Sequence, residues 1–176
     1  FRICWWGTFR RMHGVDNILH AARILKKSGI CFQLDFFGTP KHDSTEYEVL
    51  TSKLGLNGYV FFHKDKTFGN FKLEDWLSRK CDLVLGQFGS NERANRVVTT
   101  KVQEAFSMQL PILTMDSELL RECLDINNDL FVCKPSPESI ADSVLHISNN
   151  RSELNRRSKN GYRKYEAMFS PEAAQD

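Results

Sequence analysis

A chain of 176 residues, 41% of them apolar, has the length of one domain and enough hydrophobic side chains for an ordinary core. Its 24 Lys and Arg against 22 Asp and Glu leave a net charge of +2, which gives no bulk electrostatic reason to expect a nucleic-acid partner. No long uncharged apolar stretch marks a membrane span, and no basic segment followed by an apolar one marks a signal peptide. Cys4, Cys31, Cys81, Cys123 and Cys133 are odd in number and far apart, without CxxC or Cys/His spacing. They read as reduced core thiols of a cytoplasmic protein rather than disulfides or zinc ligands.

Phe1 to Trp6 is bulky and strand-like, closed by Gly7. It starts without Met, so a further domain upstream is expected. A polar turn through Arg10 and Arg11 reaches Gly14, after which Ile18, Leu19, Ala22, Ile24 and Leu25 recur at helical spacing, with Asp16 as cap and Gly29 as stop. Cys31 to Phe37 is the next strand, ended by Gly38-Thr39-Pro40. Glu46 to Lys53 is a helix striped by Tyr47, Leu50 and Leu54, and Tyr59 to Phe62 is a short buried strand. Leu73, Trp76 and Leu77 give a helix before the strand Asp82 to Leu85.

The stretch from Leu85 to Pro111 is where the chain is most informative. An apolar run breaks at Gly86, crosses a Gly/Ser/Asn loop and resumes as a helical pattern at Val102, Ala105, Phe106 and Met108. Ile112 to Thr114 is then a strand, Ser117 caps a helix, and Leu130 to Cys133 is the last strand. Ser136 and Pro137 open a further helix carrying Ile140, Val144, Leu145 and Ile147. Arg151 to Phe169 is one more helix, charged enough to suggest that it reaches across to another domain. The alternation predicts a Rossmann-like, doubly wound α/β domain over residues 1–170, with about six parallel strands covered on both faces and a frayed tail at 171–176.

In such sheets ligands sit beyond the carboxyl ends of the strands, which places Glu104, Arg96 and Lys101 at the mouth of a site. Glu104 at a helix start could accept sugar hydroxyls or simply favour the helix dipole. The amides of Val97, Val98, Thr99 and Thr100 precede that helix and form a ready anion site, with Arg96 and Lys101 either supplying charge or merely solvated. Gly7 permits close backbone approach in the loop with Thr8 and Phe9. His13 could donate to an anion near neutral pH or cap the adjacent helix. His20, His42 and His146 show no constellation and read as surface residues. No GxSxG, HExxH, P-loop or EF-hand pattern is present, and no DxD loop suggests a metal.

Several motifs recur in a familiar order. They are Trp6-Gly7-Thr8-Phe9, His13-Gly14-Val15-Asp16 with Ala21-Ala22, Cys81 to Leu85, Lys101-Val102-Gln103-Glu104-Ala105 and Leu110 to Thr114, closing with Tyr165 to Ser170. Their order resembles the C-terminal, donor-binding half of retaining GT-B glycosyltransferases of the family-four type, also called glycosyl transferases group 1. A narrower branch matches further through Trp5 to Phe9, Leu85 to Gly89 and Arg96-Val97. The resemblance implies a nucleoside-diphosphate sugar of UDP or GDP type as substrate, with no metal and no cofactor. It also implies transfer with retention to an alcohol acceptor in glycan or surface polysaccharide synthesis. The partner would be an N-terminal acceptor-binding domain outside this chain, which would also make any contact with the inner membrane face.

By the same resemblance Glu104 holds the ribose hydroxyls, the loop Gly7-Thr8-Phe9 and the amides Val97 to Thr100 meet the phosphates, and His63 and Lys64 meet the nucleobase edge. His13, Arg96 and Lys101 would act on the departing diphosphate. The family usually has a basic residue where Thr8 stands, Lys where His13 stands and Glu where Arg96 stands. A non-catalytic nucleotide-binding or interaction domain of the same fold is therefore the alternative.

Overall fold

The computed structural model describes residues 1–173, except for the side chain of Arg93. Six strands form one parallel sheet: β1 (Arg2–Trp6), β2 (Gln33–Phe37), β3 (Val60–His63), β4 (Leu83–Leu85), β5 (Ile112–Met115) and β6 (Phe131–Cys133), in the order β3-β2-β1-β4-β5-β6. The chain winds outward from β1 to β3, then returns to lay β4 against the other side of β1. The direction of winding thus reverses between β1 and β4, and a crevice opens at their carboxyl ends.

Side chains alternate along a strand, so neighbouring residues of β1 serve different cores. Ile3 and Trp5 join the face covered by α1 (Val15–Ser28), α2 (Thr45–Lys53) and α7 (Pro137–Ser148). Cys4 and Trp6 join the face covered by α3 (Lys72–Lys80), α5 (Thr100–Ser107) and α6 (Glu118–Cys123). A short helix, α4 (Glu92–Asn95), lies in the loop between β4 and α5 and was not expected.

The final helix, α8 (Arg151–Met168), starts beside α7 with Leu154 in the first core. It ends on the second face, where Tyr165 and Phe169 pack. Part of its charge is paired within this domain. Arg156 and Arg157 both hold Glu153 at 2.7 Å, Arg157 also donates to the carbonyls of Ile126 and Leu130, and Arg151 meets Asp82 at 2.7 Å. Such pairs are individually weak, but they let a strongly charged helix lie on an apolar layer.

Four local expectations are corrected. Gly14, in the left-handed region at φ 66°, precedes α1 as its cap, and Asp16 sits inside the first turn. The second strand starts at Gln33, two residues late, with Cys31 exposed before it. That thiol is therefore no core residue, whereas Cys4 and Cys133 are buried as expected. Helix α5 begins at Thr100, so Glu104 lies in its second turn rather than at its start. The caps by Ser117 and Ser136 occur as read, accepting from the amides of Leu120 at 3.2 Å and Ser139 at 3.3 Å.

The contact between α5 and α8 depends on Gly161, where an added Cβ would come within 2.6 Å of the Phe106 ring. Gly161→Val should force the helices apart and cost about 1–3 kcal/mol of stability, measured by chemical denaturation. An unchanged unfolding midpoint contradicts this packing.

Candidate functional site

The loops following β1 and β4 cross each other at the carboxyl edge. Their backbones are in contact, since a Cβ on Gly14 would lie 2.3 Å from the Phe88 carbonyl and one on Gly89 2.1 Å from the Met12 oxygen. The Phe88 amide donates to His13 O at 3.0 Å, and Asn17 Nδ2 donates to the carbonyls of Phe88 at 3.0 Å and Pro135 at 3.2 Å. Trp5, fully buried, donates from Nε1 to Gly86 O at 3.1 Å. Few of these polar groups can move independently.

Beside this crossing is a groove of ≈ 220 Å³, lined by Trp6, Gly7 and Thr8 after β1, by Gly38, Thr39 and His42 after β2, and by Lys66, Thr67 and Phe68 after β3. Trp6 and Phe68 meet edge to face at 5.5 Å. Trp6 Nε1 donates to Glu104 Oε2 at 2.6 Å, so the carboxylate is anchored on a residue that lines the groove. A second-turn position removes the explanation that Glu104 serves the N-terminal dipole, which acts within the first turn.

Lys101 is only 4% exposed, and its Nζ has no hydrogen-bond partner. It lies 4.2 Å above the Trp5 ring. Burial pushes its pKa down to about 7, while the Glu104 charge pulls the other way. His13, the last residue of a 3₁₀ turn (Arg11–His13), meets the same indole at 5.7 Å. Burial first, then the charges of Lys101 and Arg10, lowers its pKa to about 4. At neutral pH His13 is therefore an uncharged donor, and it contributes no cation.

Other candidates are placed elsewhere. Phe9 is a core residue at φ 58°, its ring 5.1 Å from Trp5 and 6.0 Å from Tyr47, so only its backbone belongs to the loop. His63 Nε2 is 2.7 Å from the fully buried Asp35 carboxylate, and its ring stacks on Phe37 at 4.8 Å. Lys64 makes an exposed pair with Glu48 at 3.6 Å. Neither lines the groove, because the buried carboxylate on β2 needs a partner more than the rim does. Arg96 is exposed in a separate cavity of ≈ 570 Å³ that includes Ser117, Arg121 and Lys134, beyond β5 and β6. Val97, Val98 and Thr99 line a small cavity with Gln87, Thr114 and Ser117, and the amides of Val97 to Thr100 donate to no loop or turn backbone acceptor among the described residues.

Sequence reasoning passed over Trp6, His42, Lys66 and Phe68, taking His42 for a surface histidine. The signal was available, because the rule that marked the loop after β1 applies equally to the loops after β2 and β3. No helix among the described residues is long and apolar enough to cross a membrane.

A six-stranded parallel sheet with helices on both faces, its polar groups gathered where the winding reverses, defines a Rossmann-like doubly wound domain. The chain belongs to the family of glycosyl transferases group 1, whose sequence model matches residues 2–164. The fold is similar to the C-terminal domain of the group 1 protein LpcC from Francisella tularensis, with a TM-score of 0.76 at 17% identity over 97% of this chain and 87% of that one. Sucrose-phosphate synthase from Thermosynechococcus elongatus has a TM-score of 0.77 at 16% identity, over 99% of this chain and 43% of that chain. Anabaena HepE, solved with UDP and glucose, has a TM-score of 0.74 at 13% identity, over 97% and 44%. The chain thus spans under half the length of the latter two proteins. Among curated protein sequences none matches the chain at significance.

Lys101 sets a pH signature. Its ammonium titrates at about 7 when folded and at about 10.4 when unfolded. Between these values the unfolded chain binds more protons, so stability should rise with pH by up to about 1.4 kcal/mol per unit, and the destabilisation is complete below the folded value. Denaturant unfolding at pH 7 and pH 9 checks this, and Lys101→Met should remove the Lys101 contribution while stabilising the protein at pH 7. A Lys101→Met protein less stable than the original at pH 7 contradicts the unpaired burial.

Proposed function

We propose that the chain is the donor-binding half of a retaining glycosyltransferase that moves a sugar from a nucleoside diphosphate to an alcohol acceptor, in the cytoplasm, during glycan or surface polysaccharide synthesis. The observation that carries the reading is the Glu104 carboxylate, held by the indole of Trp6, which lines the groove with Gly7. A carboxylate oxygen there accepts ribose hydroxyls through charge-assisted bonds worth roughly 1.5–3 kcal/mol each. The base enters the apolar groove lined by Trp6, Phe37, Phe68 and Leu73, and the diphosphate turns toward Thr8, His13 and the amides of Val97 to Thr100. A uridine nucleotide is favoured over a guanosine one, because HepE holds UDP-glucose and the pneumococcal protein GtfA holds UDP in their structures.

Catalysis on this reading is electrostatic. The amides and Lys101 stabilise the negative charge of the leaving diphosphate as the anomeric carbon becomes positive, whereas Arg96 faces the separate cavity beyond β5 and β6. The acceptor is held by an N-terminal domain outside this chain, so the chain alone binds nucleotide weakly and transfers nothing.

Titration calorimetry with UDP, GDP and their sugars tests the reading. Glu104→Ala should weaken the preferred nucleotide by about 10-fold or more, equivalent to about 1.4 kcal/mol. Equal failure of both proteins to bind supports a non-catalytic domain that kept the fold.

A further inference from the structure

Two buried side-chain nitrogens at the carboxyl end of β1 have no hydrogen-bond partner among the described residues. Lys101 Nζ reaches over the strand end to lie 4.2 Å above Trp5, and His13 meets that indole edge-on at 5.7 Å with Nδ1 also buried and unpartnered. Buried polar atoms are nearly always hydrogen-bonded, so two orphans against one ring form a cradle that lacks its acceptor.

The charged and titratable groups around Lys101 are few. Glu104, on the same helix, is committed to the Trp6 indole and makes no ion pair with Lys101. His13 faces it from the 3₁₀ turn, and Arg10 from the same loop acts on His13. No carboxylate stands within ion-pair distance of Nζ among the described residues, so the missing anion must come from outside the fold. The loop side chains nearest this cradle, Thr8 and uncharged His13, bring no positive charge of their own.

We propose that the donor's diphosphate binds the protonated form of Lys101, and that nucleotide binding therefore takes up one proton there from solvent. The inference rests on the reading of the groove as a nucleoside-diphosphate site. The balance is simple: a neutral amine, a solvent proton and a phosphate oxygen become an ammonium–phosphate hydrogen bond, with no bond to carbon formed or broken. Without the anion the buried amine favours its neutral form, because desolvation penalises the charge. With the anion in place the same burial strengthens the pair. Lys101 thus makes affinity depend on pH in a range where an exposed lysine does not titrate.

The test uses the chain labelled with ¹³C at lysine Cε, titrated by NMR between about pH 6 and pH 10 with and without saturating UDP. One resonance should titrate near neutrality in the free protein, be absent from Lys101→Arg, and move upward by about one pH unit or more when UDP is bound. Calorimetry at pH 8 in buffers of different ionisation heat should show net proton uptake, about 0.4 proton per UDP for an upward move of one pH unit and about 0.8 for a move of two. Lys101→Arg, whose charge is permanent, should show none. Above neutrality UDP affinity should fall by up to about tenfold per pH unit. Binding of UDP with an unmoved Cε titration and no buffer dependence overturns this inference and leaves the nucleotide site standing. Failure of UDP to bind at millimolar concentration overturns both. If Lys101→Arg does not fold, the proton count and Cε titration of the unaltered chain still decide between these outcomes.

Discussion

The close crossing of the loops after β1 and β4 is the constraint on which the site depends. The sheet reverses its winding between these strands, so the two loops diverge and leave a crevice. Here they also touch backbone to backbone, at Gly14 against Phe88 and Gly89 against Met12. Any side chain at either glycine would open the crossing, move His13 and release the Asn17 bonds that tie in the loop after β6. The rigidity of the carboxyl edge is thus a backbone property, and the functional side chains are mounted on it.

Two adjacent tryptophans convert that backbone geometry into a site. Successive residues of a strand face opposite layers, so Trp5 is sent into one core and Trp6 into the other. Each indole spends its single donor across the strand end, Trp5 on the Gly86 carbonyl and Trp6 on Glu104. The first bond fixes the distance between the crossing loops and the body of the sheet. The second fixes a carboxylate to an indole that lines the groove. Phenylalanine would fill both volumes nearly as well and would give up both anchors, because it has no N–H to donate.

Much of this was legible in the sequence, for identifiable reasons. Parallel strands covered on both faces read as continuous apolar runs, and glycine-bearing turns separate them, so the six strands and their order of helices emerge from spacing alone. Some of the residues that carry the family resemblance, such as Gly7 and Gly14, lie in those same turns. What the sequence could not disclose is competition for partners. His63 and Lys64 stand at a strand end, as a base-binding pair would, yet Asp35 and Glu48 claim them. Phe9 sits in the right loop and turns into the core. Lys101 looks like a solvated cation one turn before Glu104 and is instead buried over an indole. Each case turns on contacts between residues tens of positions apart, which periodicity does not encode.

Magnitudes then rank the polar groups. An exposed cation such as Arg96 interacts through water, where an ion pair is worth at most about 1 kcal/mol and salt weakens it further. A buried ammonium without a partner costs several kcal/mol of desolvation, which is why its proton is held so loosely. The same low dielectric makes it the more sensitive of the two to an arriving anion. Glu104 occupies the middle ground, half-buried and already holding one donor, with lone pairs still open to hydroxyls. The arrangement therefore separates two tasks within one turn of helix α5. On the proposed reading, Glu104 discriminates by hydrogen-bond geometry and Lys101 responds to charge. A ligand must carry both a vicinal diol and a nearby anion to satisfy them together, and a nucleoside diphosphate has that combination.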